Sequence, residues 1–148
     1  MLTDIQFSLI FSNLISVIEF TVKFSERLEK EEICAVFMSS LDEMTQVYCE
    51  YCKKHDVSLE QAASLKERKE MKEFLAECPI EVKKKSKSWD LSSLLIKPVQ
   101  RVLKYPLFFR ELCKIQQDDD QYTQVKEALD SLAARINEIR KRQEVIDK

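Results

Sequence analysis

Leu94–Leu112 reads LLIKPVQRVLKYPLFFREL, the densest interleaving of apolar and cationic side chains in the sequence. Lys97, Arg101, Lys104 and Arg110 stand among Leu95, Val99, Leu103, Leu107 and Phe108. A plain core helix disfavours prolines at 98 and 106, because each removes a backbone donor and crowds the preceding turn. A surface loop disfavours so many large apolar side chains. The pattern predicts helical pieces with Pro98 and Pro106 each in a first turn, where a missing N–H costs little. That arrangement aims Lys104 outward while Leu103 and Leu107 hold the core.

Working outward from this stretch, the composition narrows the fold. A chain of 148 residues fits one domain over 1–148 and can bury a real core. With 45% hydrophobic and 34% charged residues it reads as rich in amphipathic helix. There is no glycine. P-loops, dinucleotide fingerprints and primed hairpin turns all need residues with φ > 0 or a close backbone approach, so enzymes built on glycine-rich loops are excluded. An all-α domain remains, an elongated helical bundle with a single core.

The charge balance points away from polyanions. Net charge is −2 and the sequence pI is about 5.6, which gives no general reason to expect nucleic acid or an anionic membrane. The basic run Lys83, Lys84, Lys85 and Lys87 reads as a solvated loop or a patch for an acidic surface, and Asp118–Asp120 answer it later. Five cysteines, an odd count without a signal peptide, suggest a reducing compartment and free thiols; cytoplasmic is the expected location. Cys49 and Cys52 form a C-x-x-C with His55 three residues on. Zinc or redox chemistry is one reading, but no second ligand pair and no βαβ pattern follows, and successive positions near one helix face is the other. Phe7–Phe24 is strongly apolar, yet Asn13, Glu19 and Lys23 interrupt it and Asp4 sits where a signal peptide wants basic residues.

Helical periodicity runs through most of the chain. Thr3 and Asp4 offer caps for a first helix with Ile5, Leu9 and Ile10 on its apolar side, and Ser12-Asn13 offers a break. A second run follows through Leu14, Val17, Ile18, Val22, Phe24 and Leu28, and a third from Glu32 to His55, with a bend expected near Ser39-Ser40. Ser58 with Gln61 makes a capping box that opens a fourth helix, expected to end before Cys78-Pro79. Residues 79–90 read as irregular, with Trp89 as a lid on the core and Asp90 as a cap. The last segment is the most regular: Tyr122, Val125, Leu129, Leu132, Ile136, Ile139, Gln143 and Ile146 step by three and four on a helix of about 25 residues, roughly 40 Å long. Packing along its own domain is expected, with a dimeric coiled coil as the alternative.

Bond chemistry fails on inventory. There is one histidine, with no nucleophile or carboxylate placed beside it, and no H-E-x-x-H, EF-hand loop or cofactor motif. No cofactor and no metal are expected. The aromatic residues mostly fall at core-facing helical positions, unlike a stacking platform for nucleic acid. A helical protein-interaction module is left.

At that point Leu94–Leu112 resembles the third conserved region of the Dbl-homology (DH) domain of Rho guanine nucleotide exchange factors. The shared pattern is K-P-x-Q-R, a tyrosine four residues after the arginine, and an apolar run closing in Glu-Leu; Lys97, Pro98, Gln100, Arg101, Tyr105, Pro106, Leu107, Glu111 and Leu112 fit it. VYCEYCKKHD (Val47–Asp56) resembles the second conserved region, INEIRKR (Ile136–Arg142) the long terminal helix, and LIFSNLISVIEF (Leu9–Phe20) the helix start near the front of the fold.

The resemblance implies an all-helical exchange factor that grips the two switch regions of a Rho-family small GTPase, disturbs its magnesium and phosphate site, and favours the nucleotide-free state. It is expected to act by binding rather than as an enzyme of bond chemistry. By the same resemblance Lys104 contacts the second switch, Asn137 joins it there, and Ile96 packs against the strands between the switches and bears on partner choice. Gln100 and Arg101 are family hallmarks, divided between interface and structure. The resemblance also implies a departure. The family's first helix, glutamate-rich and engaging the first switch, has no counterpart ahead of Met1–Asp4, so an N-terminally truncated domain with impaired exchange and an apolar groove is expected. A monomer is expected, with membrane contact only through regions outside this chain. The alternative is an inactive helical scaffold or interaction module.

Overall fold

The computed structural model describes residues 2–84 and 90–146, side chains at 79, 82 and 144–146 excepted. Among the described residues the chain is all-α, with eight helices: α1 (Asp4–Phe11), α2 (Leu14–Lys30), α3 (Ile33–Lys53), α4 (His55–Lys66), α5 (Lys69–Lys83), α6 (Leu91–Leu95), α7 (Lys97–Ile115) and α8 (Asp120–Ile146). They fall into two compact units. One comprises Met1–Ser12 and Lys54–Lys97; the other comprises Asn13–Lys53 and Pro98–Lys148. No single helix is long and apolar enough to cross a membrane.

The first unit is built on α4, which packs against α1, α5 and α6. Thr3 and Gln6 form a reciprocal capping box on α1: Thr3 Oγ accepts from the Gln6 amide at 3.1 Å and Gln6 Oε1 accepts from the Thr3 amide at 3.0 Å. Two orphan donors of the first turn are thereby satisfied. Ile10, Ala62, Leu65 and Leu95 make the buried centre. Of the three apolar positions expected to face inward on α1, Ile10 is buried, whereas Ile5 and Leu9 are exposed, Ile5 by 73%. Helix α6 is too short to hold itself in water and relies on its cap, Asp90, whose Oδ1 accepts from the Ser93 amide at 2.6 Å. Hydrogen bonding from the Ser93 hydroxyl, and next from its amide, holds the Asp90 carboxyl below its usual range.

Two boundaries in this unit differ from the sequence reading. Ser58 does not open a helix: α4 starts at His55, and the buried Ser58 hydroxyl donates to the carbonyl of Ile10. It thus satisfies an orphan acceptor in the last turn of α1. The expected fourth helix is also two helices. It breaks at Glu67–Arg68, where amides bond back three residues to Ser64 and Leu65, and α5 then runs on past position 79 to Lys83. A proline removes one helical hydrogen bond, and neighbouring turns can carry the helix through that loss. Trp89, and Lys85 and Lys87 of the basic run, lie outside the described residues.

The second unit is built on α3, which packs against α2 and α8. Helix α3 is continuous through Ser39 and Ser40, whose hydroxyls accept from the Arg27 guanidinium at 2.7 and 3.1 Å, tying α2 to α3. Asn13 breaks the chain as expected, and its side-chain amide donates to the Val47 carbonyl at 2.9 Å. The α8 seam is buried at Val125, Leu129, Leu132 and Ile136, so its centre is used within its own unit. Cys49 and Cys52 lie on the buried side of α3 as free thiols, and burial pushes the Cys52 thiol up to about 12, which opposes the thiolate that zinc or redox chemistry requires.

An aromatic cluster links α2, α3, α7 and α8. Phe37 meets Phe24, Tyr105 and Phe109 at centroid distances of 4.9, 5.4 and 4.8 Å, each edge-to-face, and Phe109 reaches Tyr122 at 6.3 Å. Such pairs add about 0.5–1.5 kcal/mol each beyond their area burial. On α2, Val17, Phe20 and Phe24 are buried, whereas Ile18 and Val22, expected inside, are exposed. With Ile15 they leave an apolar stripe on that helix.

Candidate functional site

The opening stretch spans α6 and α7. Pro98 lies in the first turn of α7 as expected, but Pro106 sits inside the same helix and is buried. One continuous helix therefore replaces the two expected pieces. Val99, Val102, Tyr105, Pro106 and Phe109 form its buried face. Leu103 is half-buried, and Leu107, expected in the core, is 48% exposed. The slip is one helical position: with Pro106 facing inward, Leu107 turns about 100° further round.

Gln100, Arg101 and Lys104 are exposed, and Gln100 and Arg101 lie four and three residues before Lys104, so both neighbour it on the surface of α7. Lys104 and Gln100 form no hydrogen bond or ion pair with other described residues. Lys104 is thus presented outward, as expected. Arg101 is engaged by its own helix: its guanidinium carbon lies 5.2 Å from the Tyr105 ring centroid and 5.4 Å from that of Phe108. Cation–π contacts at exposed sites contribute about 0.5–1 kcal/mol and hold the side chain along the helix surface.

Asn137 is exposed on α8, one residue past the buried Ile136, and it too forms no hydrogen bond with other described residues. Ile136 packs inward, which turns Asn137 toward the edge of the seam. Lys104 and Asn137 therefore belong to one unit and to two helices joined through the Phe109–Tyr122 contact. Ile96 is half-buried, caps the C-terminus of α6 and belongs to the other unit.

Phe108, at 45% exposure, stands with Leu107 on or beside the Lys104 face, and the sequence reading had both as inward-facing apolar residues. A signal for them exists in the sequence. Lys97, Arg101, Lys104 and Glu111 recur at steps of four, three and seven and so mark the solvent face, and Phe108 falls inside that stripe. Cationic, amide and apolar groups thus share one exposed face of α7.

The comparisons with known proteins give the family of this all-α chain. The chain belongs to the RhoGEF domain family, which matches residues 1–140. It is 31% identical over 122 residues to the Rho guanine nucleotide exchange factor gef3 of Schizosaccharomyces pombe, covering 79% of this chain and 23% of gef3. It is 30% identical over 161 aligned positions to human spermatogenesis-associated protein 13, covering 100% of this chain and 24% of that protein. A solved structure concerning the PH and C1 domains of the Vav1 exchange factor aligns over 99% of this chain and 42% of its own, at 23% identity and a TM-score of 0.84, which establishes the shared fold. The chain spans less than a quarter of the length of these two curated relatives.

Proposed function

We propose that this domain is a guanine nucleotide exchange domain for a Rho-family small GTPase, and that it acts by binding rather than by making or breaking bonds. Membership of the RhoGEF domain family across residues 1–140 carries this reading. The exposed face of α7 supports it, because Lys104 faces outward without a hydrogen-bond or ion-pair partner among the described residues.

The mechanism is differential binding of states. A domain that binds the emptied GTPase more tightly than the nucleotide-loaded form lowers the nucleotide's affinity by the same factor, since the coupling is reciprocal. A tenfold preference corresponds to about 1.4 kcal/mol. In this reading Lys104 and Asn137 supply a charge-assisted and a neutral hydrogen bond to the GTPase, Ile96 supplies apolar contact that bears on partner choice, and Gln100 and Arg101 flank Lys104. The domain works in the cytoplasm, and any membrane contact comes through regions outside this chain.

The deciding experiment follows release of a fluorescent GDP analogue from a panel of Rho-type GTPases, with this chain and with its Lys104→Ala and Asn137→Ala variants. Acceleration that both variants lose supports the reading. Absence of any acceleration, together with no binding to nucleotide-free GTPase, would leave the helical scaffold in its place.

A further inference from the structure

The first unit holds a cleft of about 250 Å³ among α1, α4, α5 and α6, and none of Ile96, Gln100, Arg101, Lys104 and Asn137 lines it. Leu65, only 4% exposed, forms part of its floor, and Met71 and Leu75, partly buried and packed against the buried centre, line it. Among the described residues the walls are apolar apart from the Cys78 thiol, and Lys66 and Asp90 supply the only charges in the lining.

Size and charge together restrict what fits. The cleft exceeds the cavity of about 150 Å³ that takes up benzene. It falls short of the roughly 300–1,000 Å³ of a site for a drug-sized ligand. The two lining charges are opposite, and the Asp90 carboxylate is already engaged by the Ser93 amide at 2.6 Å. Lys66 in turn acts electrostatically on Asp90, in the direction that keeps its carboxyl ionised. An anion would meet Asp90 and a cation would meet Lys66, so neither sign gains. A neutral ligand leaves the pair undisturbed and removes apolar surface from water.

We propose that this cleft binds a neutral apolar molecule of about two aromatic rings, seated on Leu65 between Met71 and Leu75 and covering the Cys78 thiol. The proposal stands apart from the exchange reading, and either can fail without the other.

The probe is N-phenyl-1-naphthylamine, a neutral dye, set against its sulfonated counterpart 1-anilinonaphthalene-8-sulfonate. Alkylation of Cys78 by iodoacetamide is followed by mass spectrometry in the intact chain. Cys113, the other partly exposed thiol, lies in the second unit and serves as an internal reference. The expected result is saturable binding of one neutral dye per chain, with Cys78 alkylation slowed about tenfold or more at saturation and Cys113 unchanged. Leu75→Trp, which fills the cleft, should abolish saturable binding. The wild-type comparison of the two cysteines needs no variant, so a misfolded Leu75→Trp chain leaves the test intact. Equal binding of the sulfonated dye, protection of both cysteines alike, or absence of Cys78 protection would each overturn the proposal. In the second case the dye would be sitting on exposed apolar surface such as Ile15, Ile18 and Val22.

Discussion

The ring of Tyr105 stands edge-on to that of Phe37, with centroids 5.4 Å apart and planes at 82°. Lys104 is the neighbouring residue, so the contact that buries Tyr105 also fixes the rotation of α7 that presents Lys104 to solvent. Core packing and site geometry are thereby one constraint. Tyr105→Ala removes a nearly buried ring from the cluster and should cost about 3–5 kcal/mol, while Tyr105→Phe keeps the ring and should stay within about 1 kcal/mol. Urea unfolding of both variants measures this. If Tyr105→Ala proves as stable as wild type, the ring does not hold α7.

Lys104→Ala should behave in the opposite way. The side chain is exposed and has no hydrogen-bond or ion-pair partner among the described residues, so stability should change by no more than about 0.5 kcal/mol. Within the exchange reading, loss of one charge-assisted hydrogen bond to the GTPase, about 1.5–3 kcal/mol, should slow exchange roughly ten- to a hundredfold. Lys104→Arg should restore less than full activity, because the guanidinium fork does not reproduce an ammonium point charge. Exchange rates and unfolding midpoints measured on the same preparations separate a binding role from a structural one.

Phe108 offers a test of how far the docking face extends. Its ring is 45% exposed beside Lys104 and lies under the Arg101 guanidinium. Phe108→Ala should cost little stability, about 1 kcal/mol including the lost cation–π contact. Within the exchange reading it should weaken binding to nucleotide-free GTPase several-fold, and titration calorimetry reads that change. Unaltered affinity would confine the surface to the polar residues around Lys104.

The elements that could be read from the sequence are those where one residue has one plausible partner direction. The Thr3 cap, the break at Ser12-Asn13 and the Asp90 cap are local motifs, and the α8 seam repeats often enough to fix its phase. Lys104 does face outward as expected, but only one of the two proline placements behind that expectation holds, because Pro98 opens α7 whereas Pro106 lies inside it. The run Pro106-Leu107-Phe108-Phe109 was not legible, because four apolar residues in succession fit several helix rotations about equally well. Pro106 and Phe109 face inward there, a choice made by Phe37 and Tyr122 on other helices. Ser58 was misread because S-x-x-Q has the same letters whether the hydroxyl caps its own helix or reaches across to Ile10.

That distinction can be measured. Removing the Ser58 hydroxyl should leave the Ile10 carbonyl buried without its acceptor satisfied and cost about 1–3 kcal/mol. On a capping-box reading Gln61→Ala would be comparably harmful. On the observed geometry it should stay within about 0.5 kcal/mol. Equal losses from Ser58→Ala and Gln61→Ala would contradict the α1–α4 contact.

Alkaline pH should weaken the fold through the thiols of α3. Burial raises Cys52 from 9.0 to about 12 and Cys34 from 9.0 to about 11. Above pH 9 the unfolded chain sheds these protons while the folded chain keeps them, so the unfolded state binds fewer protons and stability falls as pH rises. The contribution is whole below pH 9, declines from there, and is lost as pH climbs through the folded values. Lysine deprotonation also weakens ion pairs in this range, so the comparison must be internal. Cys52→Ala is expected to lose stability at pH 8 through the missing sulfur, yet to show a shallower decline than wild type between about pH 8 and pH 10. Urea midpoints of the two chains across that interval decide the matter: parallel curves would mean that the Cys52 thiol ionises as readily in the folded protein as in the unfolded chain.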